Sequence, residues 1–116
     1  MDYAEYKEYN KLLYKNKEIR KKIAVRLLDL GLNGKLKGFL YLLDIITISV
    51  CKKKYSQTFM AEIFPYIAKR EGIEVYSVQR QLRYTCTVKT NNKYLPNEIA
   101  LQIWQEMQKE LEEERR

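Results

Sequence analysis

From Leu36 to Cys51 the chain carries almost no polar face. Leu36, Phe39, Leu40, Leu43, Ile46 and Val50 recur at helical spacing, and Leu42, Ile45 and Ile48 cover much of the other side. A helix that is apolar nearly all round must be buried between neighbours. The run from Phe39 to Cys51 is broken by Asp44 and is too short to span a bilayer. The expected arrangement is therefore one central helix wrapped by others, and 116 residues are enough for one such domain.

The flanking sequence supplies the wrapping. Residues 3–14 hold a loose stripe of Tyr3, Tyr6, Tyr9 and Leu13, interrupted at Asn16. Residues 17–30 place Ile19, Ile23, Leu27 and Leu30 on one helical face, with Lys21, Lys22 and Arg26 on the solvated side. Gly31 suits the left-handed residue that ends a helix, and Asn33-Gly34 is a turn signal. Residues 57–63 read as a further helical turn or two. Proline is favoured at a first helical position, so a short helix restarts at Pro65 and ends near Glu71. Gly72 marks a turn. The next helix spans about Val75 to Val88, with Val75, Val78, Leu82 and Cys86 inward. Asn91-Asn92 breaks the chain. Leu95-Pro96-Asn97-Glu98 opens the last helix, whose buried stripe is Ile99, Ile103, Trp104, Met107 and Leu111. Glu110 to Arg116 is expected to fray. Short β-branched stretches, Ile45 to Val50 and Thr85 to Val88, do not alternate as strands do. The expected fold is all-α: a compact multi-helix domain containing a helix-turn-helix. Residues 1–16 form an N-terminal helical extension, 17–113 the helix-turn-helix domain and 114–116 a frayed tail.

Much chemistry is excluded. The chain has no histidine, which removes Ser-His-Asp and Cys-His mechanisms and the commonest zinc ligand. Cys51 and Cys86 are far apart and lie in apolar helical segments, so they read as buried reduced thiols of a cytoplasmic protein. Gly31, Gly34 and Gly38 lack the following Lys-Ser/Thr of a phosphate loop. Glu71, Glu74 and the Glu112-Glu113-Glu114 run read as solvated charge. The start, Met1-Asp2-Tyr3-Ala4-Glu5, is not a signal peptide. The reading is no enzyme, no cofactor, no metal, no small-molecule substrate and no membrane partner.

Charge is distributed unevenly. Residues 1–55 hold 13 Lys and Arg against 6 Asp and Glu, and residues 95–116 hold 3 against 6. A basic body with an acidic tail fits a polyanion partner, though charge alone weighs equally for a merely soluble surface. Lys52-Lys53-Lys54 sits where cations oppose the negative end of a helix dipole.

Residues 65–83 carry the grammar of a helix-turn-helix. Ala68 is small where two helices cross, Gly72 lies in the turn, and Ile73 and Val78 supply core contacts. The outward face of the second helix then holds Tyr76, Ser77, Gln79, Arg80 and Arg83. Arginine can bond guanine O6 and N7 bidentately, and glutamine can do the same for adenine. Gln79, Arg80 and Arg83 are the candidate base-reading residues. Lys69, Tyr76 and Ser77 are the candidates for the DNA backbone and the rest of the motif's face.

The stretch from Leu27 to Val88 resembles the C-terminal DNA-binding domain of the sporulation master response regulator, stage zero sporulation protein A. The resemblance is carried by Leu30-Gly31, Leu36-Lys37-Gly38-Phe39-Leu40-Tyr41-Leu42, Phe64-Pro65, Ile67-Ala68-Lys69 and Ser77-Val78-Gln79-Arg80-Gln81-Leu82-Arg83. It implies an all-helical domain that binds a short promoter box in double-stranded DNA, often as tandem copies or a homodimer. It also implies base reading at Gln79, Arg80 and Arg83, and the family commonly has an acidic residue where Gln79 stands. Met1 to Asn16 is too short for the family's phosphoacceptor receiver, so phosphoryl control is not expected. The link from Thr90 to Leu95 is shorter than the one that helps the family's copies touch. The leading reading is a sequence-specific DNA-binding transcriptional regulator. The alternative is a protein-interaction module that binds or antagonises a full-length regulator through its aromatic N-terminus and acidic tail.

Overall fold

A computed structural model describes residues 1–87 and 94–115. Among these residues there are six helices and no strand: α1 (Tyr3–Lys15), α2 (Lys17–Asp29), α3 (Lys37–Cys51), α4 (Gln57–Glu71), α5 (Val75–Thr87) and α6 (Pro96–Glu114). The Asn91-Asn92 break and most of the Thr90–Leu95 link lie outside the described residues.

α3 is the central helix its composition demands. Every residue from Tyr41 to Val50 is buried, and the other five helices pack around it. Leu40 is the exception: the apolar stripe includes it, yet it is 46% exposed where no neighbour covers α3. Buried Thr47 and Ser49 keep their hydroxyls satisfied by donating to Leu43 O at 2.7 Å and Ile45 O at 2.9 Å. Asp44 is buried too. It accepts from Arg20 Nε of α2 and from Arg70 Nη1 of α4, each at 2.7 Å. One carboxylate thereby joins three helices.

The helix ends follow local chemistry. Asp2 caps α1 by accepting from Glu5 N–H at 2.8 Å. α2 ends as expected at Gly31, in left-handed conformation with φ +92°. Leu32 N–H then reaches back to Leu27 O at 3.2 Å. α3 ends on the same motif but with a lysine: Lys53 has φ +55°, and Lys54 N–H donates to Ser49 O at 3.1 Å. A side chain in that conformation is strained and glycine is not. Lys53→Gly is therefore expected to raise the unfolding free energy by about 0.5–1 kcal/mol, read as a higher urea midpoint at constant slope. An unchanged or lower midpoint would count against it.

Two expectations are corrected. The first is the restart at Pro65. α4 is one helix from Gln57 to Glu71, capped by Ser56 Oγ on Phe59 N–H at 3.0 Å, with Pro65 inside it. An interior proline costs about 3 kcal/mol through a lost hydrogen bond and a crowded carbonyl. Here Phe59, Met60, Ile63 and Phe64 before it, and Tyr66, Ile67 and Ala68 after it, are all buried in the same core. Each large side chain so buried contributes about 1.5–3 kcal/mol, so packing outweighs the local penalty. Ala61, whose carbonyl loses its partner, lies on the exposed side.

The second correction is the frayed end. α6 stays helical to Glu114 and folds its acids onto α2. Arg26 Nη1 and Nη2 meet Glu106 at 2.7 Å and Glu110 at 3.0 Å, and Lys22 Nζ meets Glu114 at 2.8 Å. Lys22 and Arg26 thus face a partner helix rather than open solvent. On its other side α6 covers the end of α3, where Trp104 Nε1 donates to Ser49 O and Gln108 Nε2 to Val50 O, both at 3.2 Å. Trp104 and Leu111 are half-buried, and the fully covered stripe is Ile99, Ala100, Ile103 and Met107.

α1 shares the same core. Tyr9 is buried, its ring centroid 5.2 Å from that of Tyr66. Tyr66 also donates its hydroxyl to Asn10 Oδ1. Among the described residues no helix is long and apolar enough to cross a membrane.

Candidate nucleic-acid interface

α4 and α5 are consecutive helices packed on each other and joined by a short turn, an arrangement consistent with a helix-turn-helix. Gly72 ends α4 with φ +67°, and both its own N–H and that of Ile73 (3.0 Å) turn back to Ala68 O. A Cβ at Gly72 would touch nothing within 4 Å, so the backbone angle rather than crowding calls for glycine there. α5 begins immediately, with Ser77 and Val78 N–H on Glu74 O at 3.0 and 3.2 Å. Its inner side is Val78, Leu82, Thr85 and Cys86. Val75, expected inward, is 38% exposed at the helix start. Burial pushes the Cys86 thiol up to about 12 and the half-buried Cys51 thiol up to about 11, so neither is a nucleophile near neutrality.

The seating of α5 depends on Gly38. A Cβ at Gly38 would sit inside contact distance of the Gln81 carbonyl and the Thr85 hydroxyl. Absence of a side chain on α3 lets the backbone of α5 come directly against it. The opposite face of α5 is consequently held outward.

On that outward face Tyr76, Gln79, Arg80, Arg83, Tyr84 and Thr87 line one shallow depression. All three candidate base readers are exposed and share this face. The Arg80 guanidinium stands 5.9 Å from the Tyr76 ring centroid. Arg20, Arg26 and Arg70 each pair with a carboxylate, whereas Arg80 and Arg83 have none within 4 Å among the described residues. Gln79 and Arg83 also border a second depression that reaches Gln57 at the start of α4 and Leu95–Asn97 at the start of α6.

The other candidates divide. Tyr76 belongs to the set. Ser77 is half-buried and does not line the depression. Lys69 is exposed but stands apart, its Nζ 5.1 Å from the Tyr6 ring centroid on α1. Tyr84 and Thr87 join this face beyond the sequence candidates. Each lies four residues beyond a candidate arginine, which puts it on the same helical face, so the spacing alone could have found them.

The family model described as sporulation initiation factor Spo0A C terminal matches residues 16–113, a longer stretch than Leu27–Val88. No curated protein and no solved structure matches the chain. The matched segment contains α2 to α5 and all of α6 but its last residue, and α1 lies before it.

Proposed function

Because the chain belongs to the family of the sporulation initiation factor Spo0A C-terminal domain, we propose that α5 is the helix it lays in the major groove of its operator. The family is one of DNA-binding effector domains of a sporulation regulator, not of enzymes, and its partner is double-stranded DNA. The observation that carries the assignment of α5 is the pair of exposed, carboxylate-free guanidiniums of Arg80 and Arg83 on one face with Gln79. The major groove admits an α-helix, and guanine presents there the two acceptors that one guanidinium can bridge. Gln79, Arg80 and Arg83 read bases. Tyr76, Ser77 and Lys69 contact the sugar–phosphate backbone and set the register. Such a protein acts in the cytoplasm, where the chromosome is, as a single copy or as tandem copies on adjacent boxes.

Arg80→Ala and Arg83→Ala are each expected to weaken binding to the cognate box by about 2 kcal/mol, and to relax base preference at one position. The box comes from selection out of a random duplex pool, and fluorescence anisotropy measures affinity on it and on scrambled duplex. Lys69→Ala is expected to weaken both duplexes alike. Equal loss on both duplexes for the arginine variants would remove them from base reading.

A further inference from the structure

We propose that α1 carries a second, sequence-independent DNA contact: a stripe of lysines that holds the phosphate backbone outside the α5 site. The inference takes DNA as the partner from the reading above, and concerns a helix that lies before the family match.

The charges of α1 are sorted by side. Glu5 and Glu8 line a depression with Tyr9, Lys52, Glu62 and Pro65, and Glu8 is tied to Lys52 Nζ at 2.9 Å. Lys7, Lys11 and Lys15 recur every fourth residue and are all exposed, and Lys17 follows at the start of α2. None of these four lysines has a carboxylate within 4 Å among the described residues, in contrast to Lys21, Lys22 and Lys52.

Two tyrosines are set among them. Tyr3 is 64% exposed and Tyr14 is 72% exposed, so neither serves the core. Lys7 Nζ stands 4.9 Å from the Tyr3 ring centroid and Lys17 Nζ 4.4 Å from that of Tyr14. Such ring contacts leave the ammonium charges unneutralised.

The spacing suits a phosphate ladder. Four helical residues advance about 6 Å, so the three ammonium groups stand in an even row of the kind that can follow the phosphates of one DNA strand. Lysine acts on phosphate as a point charge and reads no base. The stripe therefore supplies affinity without sequence preference. None of its residues lines the α5 depression.

The test is Lys7→Gln/Lys11→Gln/Lys15→Gln measured by anisotropy on scrambled duplex over a salt series, with circular dichroism melting to confirm the fold. Affinity for scrambled duplex at low salt is expected to fall tenfold or more. The slope of log affinity against log salt should become shallower by about 2.7, with three phosphate contacts removed. The ratio of cognate to scrambled affinity should not change. The triple Lys→Arg variant should bind as the parent does, because it keeps the charges. Unchanged scrambled affinity and slope in the Gln variant would overturn the proposal. So would intact DNA binding with loss of adsorption to phosphatidylglycerol vesicles, which would make the stripe a membrane contact. The Arg80→Ala/Arg83→Ala variant separates the two sites. Its scrambled-duplex binding should persist through α1, and full retention of specificity there would sink the α5 reading while leaving α1 untouched.

Discussion

Asp44→Ala is expected to lower the unfolding free energy by about 3 kcal/mol, seen as a lower urea midpoint with an unchanged slope. Asp44 is 2% exposed and is the shared acceptor of Arg20 and Arg70. Its removal leaves two guanidiniums facing a cavity. Losing one partner of a fully buried pair costs about 3–5 kcal/mol, and the lower end applies because both arginines are partly open to water. For Arg70, burial works against the charge, but the Asp44 carboxylate and the hydrogen bonds to Asp44 and Tyr66 outweigh it and hold the pKa above the usual arginine value. Asp44→Asn keeps an acceptor and the side-chain volume, so it should fall between the parent and the alanine variant. A loss below 1 kcal/mol for alanine would show that the triad leaves stability nearly unchanged. The consequence reaches function, because Arg70 stands on α4, two residues before the Gly72 turn that leads into α5.

Gly38→Ala should be nearly as damaging, at about 3 kcal/mol, although it adds one methyl group. Overpacking of a well-filled interior typically costs about 1–3 kcal/mol. The upper end applies because the added carbon meets a backbone carbonyl, Gln81 O, as well as the Thr85 hydroxyl. A side chain could swing away, but the backbone of α5 has to move as a whole. The folded fraction should also lose cognate DNA affinity more than scrambled affinity, since Arg80 and Arg83 ride on the displaced helix. Gly34→Ala is the matched control. Its Cβ would meet only Leu28 Cδ2, at 3.4 Å, and the change in stability should stay under about 0.5 kcal/mol. Equal midpoints for the two variants would refute close approach as the role of Gly38.

The parts legible in the sequence are those set by local pattern. α3 followed from a run with no polar face, α2 from its stripe and Gly31, and the α4–α5 turn from Ala68, Gly72 and Val78. The shared exposed face of Gln79, Arg80 and Arg83 followed from helical spacing. The parts that were not legible depend on distant neighbours. Pro65 obeys its local preference only where no core pulls both halves of a helix together. Glu110 and Glu114 look like tail charge until α2 supplies Arg26 and Lys22, more than 80 residues earlier. Asp44 looked like an interruption of an apolar run, because neither arginine that satisfies it is near in sequence. Leu40 and Val75 were placed inside by period, yet burial requires a covering neighbour as well as the right face. Lys69 has the right charge for the α5 face, and only the docking of α1 reveals that it stands over Tyr6.

The clasp between α2 and α6 also shapes how the molecule travels. It gathers Glu106, Glu110 and Glu114 on one edge, against only Lys22 and Arg26. The free guanidiniums of α5 and the lysines of α1 lie on other helices. The charges of a body with net charge +7 are therefore unevenly spread, with three carboxylates against two cations at this edge. In the field of a polyanion such a body feels a torque as well as a pull. Over roughly the 8 Å screening length of physiological salt, that torque would favour the α6 edge turned away before contact forms. With DNA against α5 as proposed, orientation during approach, and with it the association rate, would be set in part by carboxylates that lie on another edge of the molecule.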